Sequence, residues 1–220
     1  MFIGHFGVAL AAKKAAPRTS LGTLVMAAQF VDLLWPVFLL LGVEQVRIAP
    51  GHTAVTPLDF ISYPFSHSLL ADIGWACLFA GIYKVVKGQS WGAFCLWLVV
   101  MSHWVLDALS HSPDLPLYPG SRTYIGLGLW NSRVATILVE GVIFVLGVLI
   151  YVSAARPRDR LGVYALWSFI GVLVGLYFAN LFGPPPPSVK AIAYGGLGLW
   201  LFVWWAYWLD RHRQPPPQKP

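Results

Sequence analysis

Long apolar runs separated by short polar breaks make up most of this chain. The runs near residues 20–42, 66–87, 90–111, 134–154, 161–183 and 188–209 each come close to the roughly twenty apolar residues that a helix needs to cross a hydrocarbon core of about 30 Å. The opening run, residues 1–12, is too short, reaching only about 18 Å as a helix. The pattern predicts an all-α fold: a polytopic membrane helix bundle of about six transmembrane helices, preceded by a short N-terminal re-entrant or interfacial helix that dips His5 inward. Residues 1–210 read as a single transmembrane domain, with 1–154 carrying the chemistry and 155–210 packing and anchoring it. Residues 211–220 read as a disordered cytoplasmic tail.

Polar positions inside the apolar runs carry the functional signal. In Ser102-His103-Trp104-Val105-Leu106-Asp107-Ala108-Leu109-Ser110-His111, steps of four place His103, Asp107 and His111 on one helical face. Spread over about 12 Å, the three do not all reach one ion, so two ions, or one ion and a supporting group, are expected. A six-span topology puts Asp32 and His103 at a common depth and His67, Asp72 and Glu140 near the outer ends of their helices. Buried carboxylates at Asp32, Asp72, Asp107 and Glu140 would together cost roughly 10 kcal/mol if unpaired. A divalent metal shared with His5, His67, His103 and His111 compensates most economically. Mixed imidazole and carboxylate ligands favour zinc, one or two ions, with manganese or iron as alternatives. The candidate metal ligands are therefore His5, Asp32, His67, His103, Asp107 and His111.

Composition agrees: 57% of residues are apolar and 11% charged, as in multi-pass membrane proteins. The net charge of +6 does not signal nucleic-acid binding, because the basic residues sit in short clusters between apolar runs. Eleven of the fifteen fall on one side of a six-span topology and four (Arg47, Arg122, Arg133, Lys190) on the other, which places both termini in the cytoplasm. No basic stretch precedes the first apolar run, so it does not read as a cleavable signal. The proline-rich loops 43–65 and 112–133 then face outward as ordered caps forming a lid, and Pro184 to Pro187 make a stiff turn. Cys77 and Cys95 read as packing residues, Asp59 and Asp114 as turn residues, and His52 and His212 as solvated. Gly171-x-x-x-Gly175 offers a contact for self-association into a homo-oligomer. Ser66 beside His67 raises a serine nucleophile, but no Gly-x-Ser-x-Gly elbow accompanies it.

The opening MFIGHFGVALAAKK, the FSHSLLAD segment, MSHWVLDALSH and GLGLWNSRVATILVE together resemble the YdjM-like family of predicted membrane-bound metal-dependent hydrolases of bacterial inner membranes, over roughly the first 150 residues. More distantly, Ser66-His67-Ser68 and the His103 to His111 segment are similar to pieces of the zinc-dependent phospholipase C superfamily. The resemblance implies metal binding at His5, His67, His103, Asp107 and His111, with Asp32 and Glu140 following. Those phospholipases are soluble or secreted, so their substrate class does not carry over. The resulting expectation is a hydrolase in which a metal-activated water attacks a lipid or lipid-linked phosphoester arriving laterally. Asp72 or Glu140 would act as general base, and Arg122 or Arg133 would hold an anionic head group. The rival readings are a metal-ion or proton transporter, and a membrane scaffold with a structural metal site. The apolar inner half of the bundle, and the lack of an internal repeat, weigh against a transporter.

Overall fold

Residues 1–215 are described by a computed structural model. Side-chain caps set where most of the long helices begin. Ser20 starts α2 (Leu21–Ala28), Ser68 starts α5 (Leu69–Lys87), Ser132 starts α7 (Arg133–Ala154), Asp159 starts α8 (Arg160–Phe182) and Ser188 starts α9 (Val189–Leu197). Each accepts an otherwise unpartnered backbone N–H of the first turn. Gly88, in the left-handed region at φ +66°, ends α5 and lets the chain reverse into α6 (Ser90–Ser110). The remaining helices are α1 (Ile3–Ala15), α3 (Phe30–Leu40), α4 (Pro64–His67) and α10 (Leu199–Arg211).

Among the described residues, five stretches are long and apolar enough to cross a membrane: α5, α6, α7, α8 and the joined α9 and α10. The bent pair of α2 and α3 makes a sixth when taken as one span. This all-α, polytopic architecture is the one the apolar pattern predicts. Outward rows such as Leu138, Val142, Val145 and Leu149 on α7 are exposed and apolar, a surface suited to lipid. Gly171 and Gly175 face open space on α8.

The first span is broken. α2 and α3 meet at Gln29 with a bend of 54°. Pro36, the obvious helix breaker, lies within α3 instead, and Gly196 of α9 is small enough to admit its ring; a Cβ there would come within 2.6 Å of Pro36 Cγ.

Helix α1 is enclosed. Ile3, Phe6, Ala9 and Leu10 are buried and only its last residues reach solvent, so the interfacial placement expected as one alternative gives way to one inside the bundle. A helix apolar on all sides is stable when surrounded. Its closest neighbour is α7, where a Cβ added to Gly7 would meet the Ile143 carbonyl oxygen at 2.8 Å and one added to Gly147 would collide with Gly7 itself. The two backbones touch because neither glycine has a side chain.

The two ends of the bundle differ. At one end, β1 (Gln45–Ile48) pairs with β2 (Leu58–Ser62), and β3 (Leu115–Pro116) with β4 (Tyr124–Ile125), giving both long loops ordered hairpins. At the other, where most basic residues collect, β5 (Arg156–Pro157) pairs with β6 (Arg213–Gln214). The expected tail from residue 211 is thus ordered through Gln214, while residues 216–220 lie outside those described. Cys77 and Cys95 are both free.

Candidate metal centre

His103 and Asp107 lie one turn apart on α6, and both are buried, with His103 Nε2 3.1 Å from Asp107 Oδ2. His111 does not continue the spacing. α6 ends at Ser110 and His111 is extended, which swings its ring back until Nε2 is 3.9 Å from the same oxygen. Helix spacing alone overstated the separation of these three groups, because it assumed that the helix ran on through His111.

The break in the first span supplies two further parts. In an unbroken helix, the Ala28 carbonyl would accept from the amide four residues on; at the break it accepts instead from His103 Nδ1, at 2.7 Å. Irregular backbone at such depth is tolerable only when its polar groups find a partner in this way. The same break starts α3 just ahead of Asp32, in the first turn, where the helix dipole favours an anion. Asp32 Oδ1 lies 3.3 Å from His67 Nε2, and its Oδ2 lies 3.7 Å from His103 Nε2.

His67 is the last residue of the short α4, and its Nε2 is also 3.8 Å from Asp107 Oδ2. Its Nδ1 lies 2.7 Å from Ser66 Oγ, which donates to Glu44 Oε2 at 2.6 Å. A nucleophilic role for Ser66 does not fit this arrangement, since the hydroxyl is fully buried and its proton is committed to Glu44. Around His111, Nδ1 is 3.0 Å from Asp114 Oδ1, and the same oxygen accepts from the Tyr63 hydroxyl at 2.5 Å. Burial first, and the Asp114 charge second, push the Tyr63 phenol well up, so it remains a donor. Phe60 and Trp130 pack on the His111 ring, which makes the loops a cover for this side.

Helix α1 brings His5. Its ring stacks on that of His103, with centroids 3.7 Å apart and planes at 2°, and its Nε2 is 3.1 Å from Asp107 Oδ1. The Met1 ammonium also donates to Asp107. Glu140 of α7 is turned to the start of α1, accepting from the amides of Phe2 at 2.8 Å and Gly4 at 3.2 Å. Asp72, in the first turn of α5, is fully buried and neither of its oxygens has a hydrogen-bond partner among the described residues.

The two arginines lie away from these groups. Arg122 is exposed in the loop before β4, and Arg133 donates from Nε to the Ala54 carbonyl at 2.6 Å while its guanidinium lies over Phe182. His52 approaches Asp59, which pairs with Arg47 across the β1–β2 hairpin; His212 pairs with Asp159. Sequence reasoning missed Glu44 and Tyr63 and took Asp114 for a turn residue. For Asp114, the three-residue step from His111 is a local signal; for Glu44, a lone acid just past an apolar run, there was none.

Among the described residues, two overlapping sets each gather their potential ligand atoms within 4.8 Å of one another: His5, His103 and Asp107, and Asp32, His67 and His103. Their donor chemistry fits a divalent metal. Nδ1 of His67, His103 and His111 is each engaged by a neighbouring oxygen, and the remaining nitrogen, Nε2, of all three faces carboxylate oxygens. His103 Nε2 has no hydrogen-bond partner although Asp107 Oδ2 is so near. An unprotonated Nε2 facing a carboxylate is repulsive by itself, and a shared cation, whether a proton or a metal, makes it favourable.

Comparison with known protein families matches residues 1–183 to the family described as YdjM inner membrane protein. No curated protein and no solved structure matches the chain.

Proposed function

The chain belongs to the YdjM inner membrane protein family, and on that premise we propose that it is a membrane-embedded, zinc-dependent hydrolase acting on a lipid or lipid-linked phosphoester. The observation that supports this most is the shared orientation of His67, His103 and His111, each tied at Nδ1 and turned at Nε2 toward Asp107. A proton on His103 would satisfy one of these contacts, but not the two carboxylates, Asp32 and Asp107, drawn to the same imidazoles.

In this reading His67, His103, Asp32 and Asp107 hold the ion, with His5 and His111 on either side. Such an ion, when bound, supplies an acidified water and a positive charge against the scissile oxygen. Asp72 is the better general base of the two acids considered, since both its oxygens are free, whereas Glu140 is committed to the α1 amides and positions that helix. Arg122, exposed in the loop before β4, would meet an anionic head group only outside the buried cluster; Arg133 already ties the loop at Ala54 to α7. Exposure suggests the route of entry: the Asp32 side chain is 26% exposed, against 5% or less for His5, His67, His103, Asp107 and His111. Substrate would therefore arrive on the Asp32 side, at a depth that suits lateral approach from the bilayer. Both termini would face the cytoplasm, consistent with the basic end of the bundle.

Elemental analysis of detergent-purified protein after dialysis, paired with a screen of phospholipid and generic phosphoester substrates, tests the reading. Stoichiometric zinc that His103→Ala abolishes, with hydrolysis that Asp72→Asn abolishes while zinc stays bound, is the expected result. An ion lost on dialysis, with no ester cleaved, would favour a carrier and end the hydrolase reading.

A further inference from the structure

A histidine ligates a metal through only one nitrogen at a time, and which one is free depends on where the other holds its proton. For His103 the choice is made by the Ala28 carbonyl, which can only accept. For His111 it is made by the Asp114 carboxylate, likewise an acceptor. The partner of His67 is a serine hydroxyl, which can either donate or accept, so by itself Ser66 decides nothing.

Glu44 decides it. Its Oε1 accepts from the backbone N–H groups of Phe65 and Ser66, both at 2.8 Å, and its Oε2 accepts from Ser66 Oγ at 2.6 Å. A carboxylate held by two amides offers only lone pairs to the hydroxyl, so the single Ser66 proton points to Glu44. The hydroxyl oxygen must then accept from His67, which places the imidazole proton on Nδ1 and leaves Nε2 bare toward Asp32 and Asp107. Glu44 and Ser66 are 1% and 0% exposed, so water does not offer an alternative partner. Glu44 also stands just ahead of β1, which joins the outer hairpin to the inner cluster.

We propose that Glu44 is a positioning residue that selects the tautomer of His67, acting through Ser66, and thereby prepares Nε2 for a divalent cation. The purpose of that tautomer rests on the metal reading above; the tautomer itself does not.

The decisive substitution is Glu44→Gln. The two backbone amides still require an acceptor, so the side-chain carbonyl stays on them and the NH2 takes the place of Oε2. That NH2 donates to Ser66, whose proton must turn to His67 Nδ1, and the imidazole proton moves to Nε2. In metal-stripped, full-length protein labelled with 15N-histidine, at pH 8 and with His67→Gln for assignment, the wild type should show a protonated Nδ1 and a bare Nε2 at His67. Glu44→Gln should show the reverse, and its zinc affinity should fall about tenfold to a hundredfold. Glu44→Asp, which keeps a carboxylate, should retain the wild-type tautomer. A Glu44→Gln protein with the proton still on Nδ1 would overturn the proposal. Should that variant not fold, Ser66→Ala takes its place: a mixture of both tautomers is expected, and an unmixed Nδ1-protonated ring would overturn it. Wild-type protein that binds no zinc would end the hydrolase reading and leave the tautomer result standing.

Discussion

Charged groups are buried at both ends of helix α1, and they are satisfied to different degrees. At the basic end, Lys13 Nζ donates to Asp210 at 2.8 Å and to the Thr19 carbonyl at 2.9 Å. Arg213 donates to the carbonyls of Gly162 and Ala155 and lies over the Tyr151 ring. There donor meets acceptor, with Arg213 Nε left over. At the inner cluster the contacts do not close: Asp107 Oδ1 takes the Met1 ammonium and lies against His5, but His103 Nε2 faces Asp107 Oδ2 without a hydrogen bond, and neither Asp72 oxygen finds a partner among the described residues. A closed set of buried polar contacts holds a fold together, whereas an open one marks a place where something else binds. The lesson is that burial of charge alone does not locate a site; the sign and direction of the contacts do.

The largest effect that should follow concerns Asp107, which His5, His67, His103 and His111 all approach. Asp107→Asn is expected to lower zinc affinity at least a hundredfold, read by elemental analysis and competition with a chelator. The matched change at the other end, Lys13→Met, should leave zinc untouched and instead lower stability by about 3 kcal/mol, since it strands the Asp210 carboxylate. That is the low end for a broken buried pair, because Asp210 is 19% exposed. Thermal unfolding in detergent would show it. Equal loss of zinc in both variants would break the distinction between the two ends.

Helix α1 joins them, with His5 at one end and Lys13 at the other, and its contact with α7 depends on Gly7 and Gly147. Gly147→Leu should therefore affect both regions, costing about 1–3 kcal/mol for overpacking and weakening zinc about tenfold as His5 is displaced. A variant that loses stability alone would mean that His5 is not needed to hold the ion.

The spans were legible because a bilayer imposes one length and one composition on every helix that crosses it. The same bookkeeping exposed α1 as too short to span. What the sequence did not display is where chains bend and what turns toward what. The break falls at Gln29, amid Ala27, Ala28 and Phe30, with no glycine or proline to mark it, while Pro36 lies undisturbed within α3. The Ala28 carbonyl that holds His103 was therefore invisible, as was the return of His111 after α6 ends. Glu140 reads on paper as another buried acid, and only the three-dimensional arrangement reveals the Phe2 and Gly4 amides that occupy it. Glu140→Gln retains a carbonyl acceptor for those amides, so it should cost about 1 kcal/mol and leave zinc bound.

Acidification should separate the two ends with the smallest change of all at the basic one. Asp159 lies outside the spans, where it caps α8 and accepts from His212 Nδ1 at 2.8 Å. The His212 hydrogen bond, and then the Gly162 amide, hold its carboxyl below the ordinary value of 3.8. A carboxyl depressed in the folded state lends stability that is complete above that ordinary value and is lost only as pH falls through the lower, folded one. Between pH 8 and pH 5 the Asp159 carboxyl should therefore stay ionised, and its 13C titration should place its midpoint below 3.8. Imidazole ligands must be free of protons at the ligating nitrogen to hold a metal, so zinc affinity should fall steadily over the same interval. Zinc retained in full down to pH 5 would argue that carboxylates, not His67 and His103, hold the ion, and would move the centre of the site toward Asp32 and Asp107.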